Sequence, residues 1–383
     1  MSYRKLEELE DIKGKQVIVR VDWNVPMRGE VVVDDFRIRA TLPTIEYLKK
    51  KGASIILVSH RNPPPHTEEE APDDSLKAVA DYFTDKFFPI VFVPDSDIQA
   101  LEGKLAGIAP GDVVLIENIR RFKGEMAGDE KFGKELARLG EIFVNEAFAE
   151  SHRKYASITE LPKYLPGYAG FRFDEEVKEL SRAFNPPRPF VFLLGGSKFE
   201  TKEPFIKKYL GKADLVFVGG ALANDLFKAK GLEVGISQLC ENCPEVTTFL
   251  NQEKLLLPID VIVRQGSGDR AAKKPEEIAK DDKILDAGPE TILMLEKKIK
   301  DAGLIVWNGP LGQIEEEFVA GTEGLAKAIA SSKGGKIIGG GDTLATIKPL
   351  GLEEKFSFIS TGGGAMLQFL ADGTLPGIIA LEK

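Results

Sequence analysis

Apolar and polar positions alternate along the whole chain in two rhythms. Short runs rich in Val, Ile, Leu and Phe fall at 16–21, 54–59, Val113–Ile116 and Ile142–Asn145, then at Phe190–Leu194, Leu215–Val218, 304–307, 336–338 and Phe358–Ile359. Runs this short, bounded by turn residues, predict buried parallel strands. Between them the spacing becomes helical: 41–51 carries Leu42, Ile45 and Leu48 and stops at Gly52, and 129–139 and 290–300 are patterned alike. Strand–helix alternation on this scale predicts an α/β chain with parallel sheets covered on both faces. The charged helical stretch 174–184 is followed by Asn185-Pro186-Pro187-Arg188-Pro189, a natural domain boundary. The segment 60–74, with its prolines and acidic run, reads as a loop.

The residues at the strand ends differ between the two halves. In the second half the runs end in glycine: Gly195-Gly196-Ser197-Lys198, Gly219-Gly220, Asn308-Gly309-Pro310, Gly339-Gly340-Gly341-Asp342-Thr343 and Ser360-Thr361-Gly362-Gly363-Gly364. Glycine there lets backbone N–H groups approach an anion, and this edge of an open α/β sheet is where ligands bind. The pattern predicts a nucleotide phosphate site. In the first half the runs lead to Asp22 and Asn24, to His60 and Arg61, to Glu117, Asn118, Arg120 and Arg121, and to His152 and Arg153. Most arginines and every histidine precede residue 175. Guanidinium forks match carboxylates and phosphates, so this half predicts a site for a small, strongly anionic substrate.

At 383 residues the chain is long enough for two domains. A formal charge of −9 argues against nucleic acid as a partner, but a cleft still focuses its own local field on a small anion. No apolar stretch has the length of a membrane span and the N-terminus lacks a signal-peptide core, so the expectation is a cytoplasmic protein with no membrane partner. Walker A, protein-kinase and strict Gly-x-Gly-x-x-Gly signatures are missing, leaving the glycine turns themselves to hold the nucleotide. The only cysteines, Cys240 and Cys243, show no second pair or nearby histidines for a metal, and no redox or metal role is expected of them.

These segments together resemble phosphoglycerate kinase along the whole chain. Arg20-Val21-Asp22-Trp23-Asn24-Val25-Pro26, Leu115-Ile116-Glu117-Asn118-Ile119-Arg120, Leu194-Gly195-Gly196-Ser197-Lys198 with Lys202, and Val306-Trp307-Asn308-Gly309-Pro310 match the family's blocks in order, as do the last two glycine turns. The resemblance implies two doubly wound parallel-sheet domains facing a cleft and joined by an interdomain helix. The expected bounds are 1–172 for the substrate domain, with 366–383 returning to it, 173–184 for the helix and 185–365 for the nucleotide domain. It implies a monomer, hinge motion near 174–184 and 360–364, and reversible phosphoryl transfer between 1,3-bisphosphoglycerate and ADP, giving 3-phosphoglycerate and ATP with Mg2+. The acceptor oxygen is already ionised, so such a reaction needs alignment and charge neutralisation rather than a strong base.

Residue by residue, the resemblance implies that Asp22 and Asn24 orient the glycerate, while His60, Arg120 and Arg153 hold the substrate's own phosphate. Arg37 and Lys198 would meet the transferring phosphoryl group, and Gly341 and Gly363 would supply backbone donors to it. Lys202, Gly340, Gly341 and Thr343 would take the nucleotide phosphates, Asp342 the magnesium as well as the helix N-cap, and Glu315 the ribose. Gly195, Gly219, Gly220 and Asn308 would border the nucleotide. One loop departs from the family: Ser59-His60 is followed by Arg61-Asn62-Pro63-Pro64-Pro65, and the usual substrate arginine has no aligned counterpart. Arg61 and Arg121 are both candidates to replace it. Glu146 stands where Asp is usual, and Ala221 where a third glycine often stands. A kinase for a related acyl phosphate, or a nucleotide-binding relative without turnover, are the competing readings.

Overall fold

The computed structural model describes residues 3–61, 74–241 and 243–382. The chain divides into two compact units, Met1–Lys178 with Thr374–Lys383, and Glu179–Gly373.

The first unit is built on six parallel strands in the order Val91–Val93, Val113–Ile116, Ser54–Val58, Gln16–Arg20, Ile142–Asn145, Gly167–Ala169. Ser54–Val58, Val113–Ile116 and Ile142–Asn145 are buried at every position, which requires cover on both faces and explains their unbroken apolar sequences. The chain first adds strands on one side of Gln16–Arg20 and then reverses to Ile142–Asn145 on the other. The carboxyl ends at that reversal carry Asp22, Asn24, His60 and the segment before Arg153, as expected for a ligand crevice. Under the sheet Trp23 stacks on Phe83 with ring centroids 4.8 Å apart, and its indole N–H donates to Thr41 Oγ1 at 3.0 Å. The last residues join this unit: Gly377 donates to the Ser151 carbonyl at 2.8 Å, and Ile378 and Leu381 are buried.

The second unit has six parallel strands in the order Leu255–Leu256, Leu215–Val218, Phe190–Leu194, Leu304–Asn308, Gly335–Gly339, Phe358–Ile359. Its core contains Trp307, fully buried, and on the sheet's other face Phe192 stacks on Tyr209 at 4.0 Å. A separate antiparallel sheet, Arg270–Lys273, Val261–Arg264, Lys283–Ala287, has no counterpart in the sequence reading. Its edge strand Arg-Ala-Ala-Lys has the pattern of a solvated surface, with alternate residues exposed. The helix Gly364–Asp372 stays with this unit, because Lys208 Nζ and Tyr209 OH donate to its last carbonyls. The return to the first unit therefore starts at Thr374 and not at 366. The linking helix is Phe171–Ser181, and it starts where Glu146 accepts the backbone N–H of Arg172 and of Phe173. Among the described residues no helix is long and apolar enough to cross a membrane.

Candidate active site

In the first unit the side chains at the sheet's carboxyl edge gather into one cluster of charged and polar groups. Arg37, in the first turn of the helix Phe36–Lys50, donates to Asp22 Oδ2 at 2.6 Å and to the Asn24 carbonyl at 3.3 Å. The Asn24 backbone N–H closes on Asp22 Oδ1 at 3.2 Å. His60 is 1% exposed, with Nδ1 3.3 Å from Arg20 Nη2. A guanidinium only donates, so Nδ1 accepts and the ring proton sits on Nε2. Burial first, then the charges of Arg20, Arg120, Arg37 and Arg153, hold the imidazole well below its ordinary value. His60 is therefore a neutral Nε2–H donor, with Nε2 3.5 Å from Glu150 Oε1. Arg120 donates to Glu150 Oε2 at 3.0 Å, and Arg153 Nε lies 3.6 Å from the same oxygen. Both guanidiniums lie over the Tyr155 ring, which fixes their planes.

The structure thus brings together Asp22, Asn24, Arg37, His60, Arg120 and Arg153, but it places Arg61 and Arg121 elsewhere. Arg61 donates to the Ser75 carbonyl at 2.9 Å and lines a different cavity, beside Glu30, Lys77 and Tyr82. Arg121 is held by Asp74 and Glu117. Asn118 ties these segments by donating to the carbonyls of Arg61 and Asp74. The rest of the loop that departs from the family, 62–73, lies outside the described residues.

In the second unit the glycine turns wall a cavity of about 560 Å³. Gly195 N–H donates to the Asn308 carbonyl and Gly196 N–H to the Pro310 carbonyl, both at 2.9 Å, so two strand ends meet backbone on backbone. A Cβ on Gly195 would stand 2.2 Å from the Pro310 oxygen, which only glycine avoids. A Cβ on Gly220, at φ +64°, would stand 2.8 Å from the Gly196 backbone. Lys198, Lys202, Asn308, Glu315, Gly340, Gly341, Asp342, Thr343 and Gly363 all line the cavity. Gly219 does not line it and instead packs against Leu311 and Phe217. Lys202 Nζ donates to Asn308 Oδ1 at 3.1 Å, and burial lowers its ammonium to about 8. The helix Gly341–Ile347 is capped by Gly340, and Asp342 makes no capping bond. The expected N-cap role of Asp342 is corrected: the chain turns at Gly340, φ +106°, and places Asp342 inside the first turn with its side chain exposed.

The donor set suits a magnesium–nucleotide group. Thr343 Oγ1 is buried without a partner at the same cavity wall, beside the exposed Asp342 carboxylate and the two lysines. A hard cation takes such oxygens, and phosphates take the ammonium groups. The opposite end of the cavity is apolar, with Phe227, Val261, Ile284 and Leu285, which suits a base.

Comparison with known proteins agrees with this geometry. The phosphoglycerate kinase family profile matches residues 6–373. The chain belongs to the phosphoglycerate kinase family. Phosphoglycerate kinase of Dictyoglomus turgidum is 40% identical over 385 residues, covering 97% of each chain, and that of Desulfosudis oleivorans is 40% identical with the same coverage. The crystal structure of phosphoglycerate kinase from Pyrococcus horikoshii superposes with a TM-score of 0.87 at 30% identity, covering 99% of this chain and 98% of that one. The structure of the Coxiella burnetii enzyme gives 0.83 at 35% identity over 99% and 98%. The α/β fold with two six-stranded parallel sheets is that of phosphoglycerate kinases. The protein is a glycolytic phosphotransferase with a carboxyl group as acceptor.

Several groups of this candidate site take roles that only the fold reveals. Arg20 is fully buried and orients His60, while its Nε donates to Ser157 Oγ at 2.9 Å. Ser157 in turn donates to Glu125 at 2.6 Å. Glu150 gathers His60, Arg120 and Arg153, and burial raises its carboxyl. Asn224, 1% exposed, lines the apolar end of the nucleotide cavity. The arginine in Arg20-Val21-Asp22 was a visible signal, since a strand that is otherwise apolar has to pair a charge it buries.

Proposed function

We propose that the first unit holds 3-phosphoglycerate or 1,3-bisphosphoglycerate and the second holds MgATP or MgADP, each on the cluster described for it. The observation that carries this reading is a shared ring of partners about the buried imidazole of His60: Arg37 holds Asp22, 3.9 Å from Nδ1, and Arg120 and Arg153 meet at Glu150, 3.5 Å from Nε2. Four arginines, Arg20, Arg37, Arg120 and Arg153, outnumber the carboxylates Asp22 and Glu150 around a neutral donor, which suits a ligand carrying several negative charges. Asp22 holds Arg37 in place, and Asn24 borders the glycerate. Arg120 and Arg153, stacked on Tyr155, take the substrate's phosphate together with His60 Nε2–H. In the second unit Lys202 and the Gly340–Thr343 turn take the nucleotide phosphates, Glu315 the ribose and the apolar end the base.

Asp342 and Thr343 are the residues that would hold magnesium, which when bound neutralises charge on the nucleotide phosphates. Lys198 and Arg37 stabilise the negative charge of the phosphoryl group in transfer, with Gly341 and Gly363 adding backbone N–H donors. The attacking carboxylate or phosphate oxygen is ionised at neutral pH, so the chain's task is alignment and charge stabilisation. Both sites come from one chain, so the kinase is expected to work as a monomer. The test is a coupled assay of ATP consumption with 3-phosphoglycerate and Mg2+. Turnover requiring all three supports the reading. MgATP binding without turnover on 3-phosphoglycerate would overturn the substrate assignment.

A further inference from the structure

The two cysteines set aside in the sequence are joined in the structure, and the joint lies against the nucleotide site. Cys240 and Cys243 form a disulfide across a separation of three residues. Both are half-buried, in a surface segment where Ile236 and Leu239 are exposed. Cys240 Sγ lies 3.0 Å from Glu200 Oε1, and the three side chains form the one group of potential soft-metal or redox ligands among the described residues.

Contacts run from this bridge to two walls of the nucleotide cavity. On one side, Cys240 N–H donates to Asp225 Oδ1 at 2.8 Å, and two residues earlier the Gln238 carbonyl accepts from Asn224 Nδ2 at 3.1 Å. Gln238 and Asn224 both line the cavity. On the other side, Cys243 caps the short helix Pro244–Phe249, and the Phe249 ring meets Phe199 with centroids 6.2 Å apart. Phe199 and Glu200 open the helix Phe199–Leu210 directly after Lys198, and Thr201 and Lys202 follow on the cavity wall. The bridged segment therefore touches both the Gln238 wall and the helix that carries Lys202.

We propose that Cys240–Cys243 is a reversible thiol–disulfide exchange site that tunes nucleotide binding and takes a dithiol reductant as its partner; this rests on reading the cavity as the nucleotide site. A thiolate of the dithiol attacks one sulfur of the bridge, and the other leaves as a thiolate and takes a proton. The reductant's second thiol then resolves the mixed disulfide. Two electrons and two protons pass to the pair, and the reductant leaves as its own disulfide. In the bridged form the Cys240 sulfur has no proton to offer Glu200. In the dithiol form it gains one and donates to that carboxylate, drawing on the first turn of the helix that follows Lys198 while the bond to Cys243 opens. The bridged form is the tighter nucleotide binder.

The test uses the whole enzyme before and after dithiothreitol, and again after reoxidation, with thiols counted by a chromogenic disulfide reagent. Reduction is expected to expose two thiols and to raise KM for MgATP roughly three- to tenfold, reversibly, with KM for 3-phosphoglycerate unchanged. The Cys240→Ser, Cys243→Ser double variant is expected to show the reduced enzyme's KM whether or not dithiothreitol is present. Calorimetry with MgATP gives the same comparison without turnover. Equal MgATP affinity in the bridged, reduced and double-serine forms would overturn the proposal and leave the nucleotide assignment standing. Failure of every form to bind MgATP would overturn both.

Discussion

Lys202 is buried beside Asn308 with no acidic partner among the described residues, and its ammonium is lowered to about 8 because water is stripped from the charged form. A phosphate at this position favours the charge, so binding draws a proton whenever the free enzyme has lost it. MgATP affinity is therefore expected to be level below pH 8 and to weaken as pH rises through about 8. Lys202→Met should bind roughly tenfold more weakly and show a flat profile, read by calorimetry from pH 6.5 to 9.5. A wild-type profile that stays flat would contradict the assigned contact. His60 makes the opposite expectation. It is neutral across the working range, so near the ordinary histidine value of 6.5 the pH profile of 3-phosphoglycerate affinity should follow only the ligand's own phosphate titration and be the same in His60→Gln. A step there that His60→Gln removes would show that the ring charges. Both residues were legible in the sequence from their positions after strand ends. Arg20 showed in the sequence only as a charge in an apolar strand, and Glu150 not at all, because what they do for His60 depends on neighbours far along the chain.

At the scale of an element, the linking helix Phe171–Ser181 is anchored by a single buried carboxylate. Glu146 accepts from Thr44 Oγ1 at 2.5 Å and from the N–H groups of Arg172 and Phe173, each at 3.1 Å. Burial raises its carboxyl to about 7 despite these bonds. The folded value exceeds the ordinary 4.5, so the folded state prefers the proton. That stabilisation is complete below the ordinary value and is lost as pH rises through about 7, with a ceiling on the order of 3 kcal/mol. Glu146→Gln should lack this component, so denaturation at pH 5 and pH 8 should show wild type losing stability relative to the variant. Parallel pH dependence in the two proteins would refute it. The sequence placed helices but mistook their starts: 41–51 is the end of Phe36–Lys50, whose opening Arg37, Arg39 and Thr41 obscure the apolar stripe. Likewise 290–300 is Pro289–Ile299, and 174–184 begins earlier, at Phe171. Helix starts are decided by which N–H groups find an acceptor, and at Phe171 the acceptors, Thr44 and Glu146, are distant in sequence.

For the molecule as a whole, the proposed division of labour has a measurable consequence. Each ligand is held by its own unit, so Arg37→Ala should leave MgATP affinity unchanged and Lys198→Ala should leave 3-phosphoglycerate affinity nearly unchanged. Each should still lower kcat by about two orders of magnitude or more, since both groups stabilise charge that develops in transfer. Binding and steady-state rates of the two single variants check this, and an unchanged kcat in either would refute the role given to that residue.

By itself the sequence determined the α/β class, the parallel sheets and the family blocks at the strand ends. These follow from local periodicity and from the residue types at strand ends, which any short window of the chain displays. Tertiary structure alone decided what the two candidate replacement arginines touch. Arg61 turns to Ser75 and Arg121 to Asp74 and Glu117, while Arg120 and Arg153 meet at Glu150 beside His60. It also decided that Cys240 and Cys243 meet each other and Glu200. The physical reason is the same in both cases: a charge or a sulfur takes its role from its partners in space, and those partners come from segments the chain brings together only when it folds.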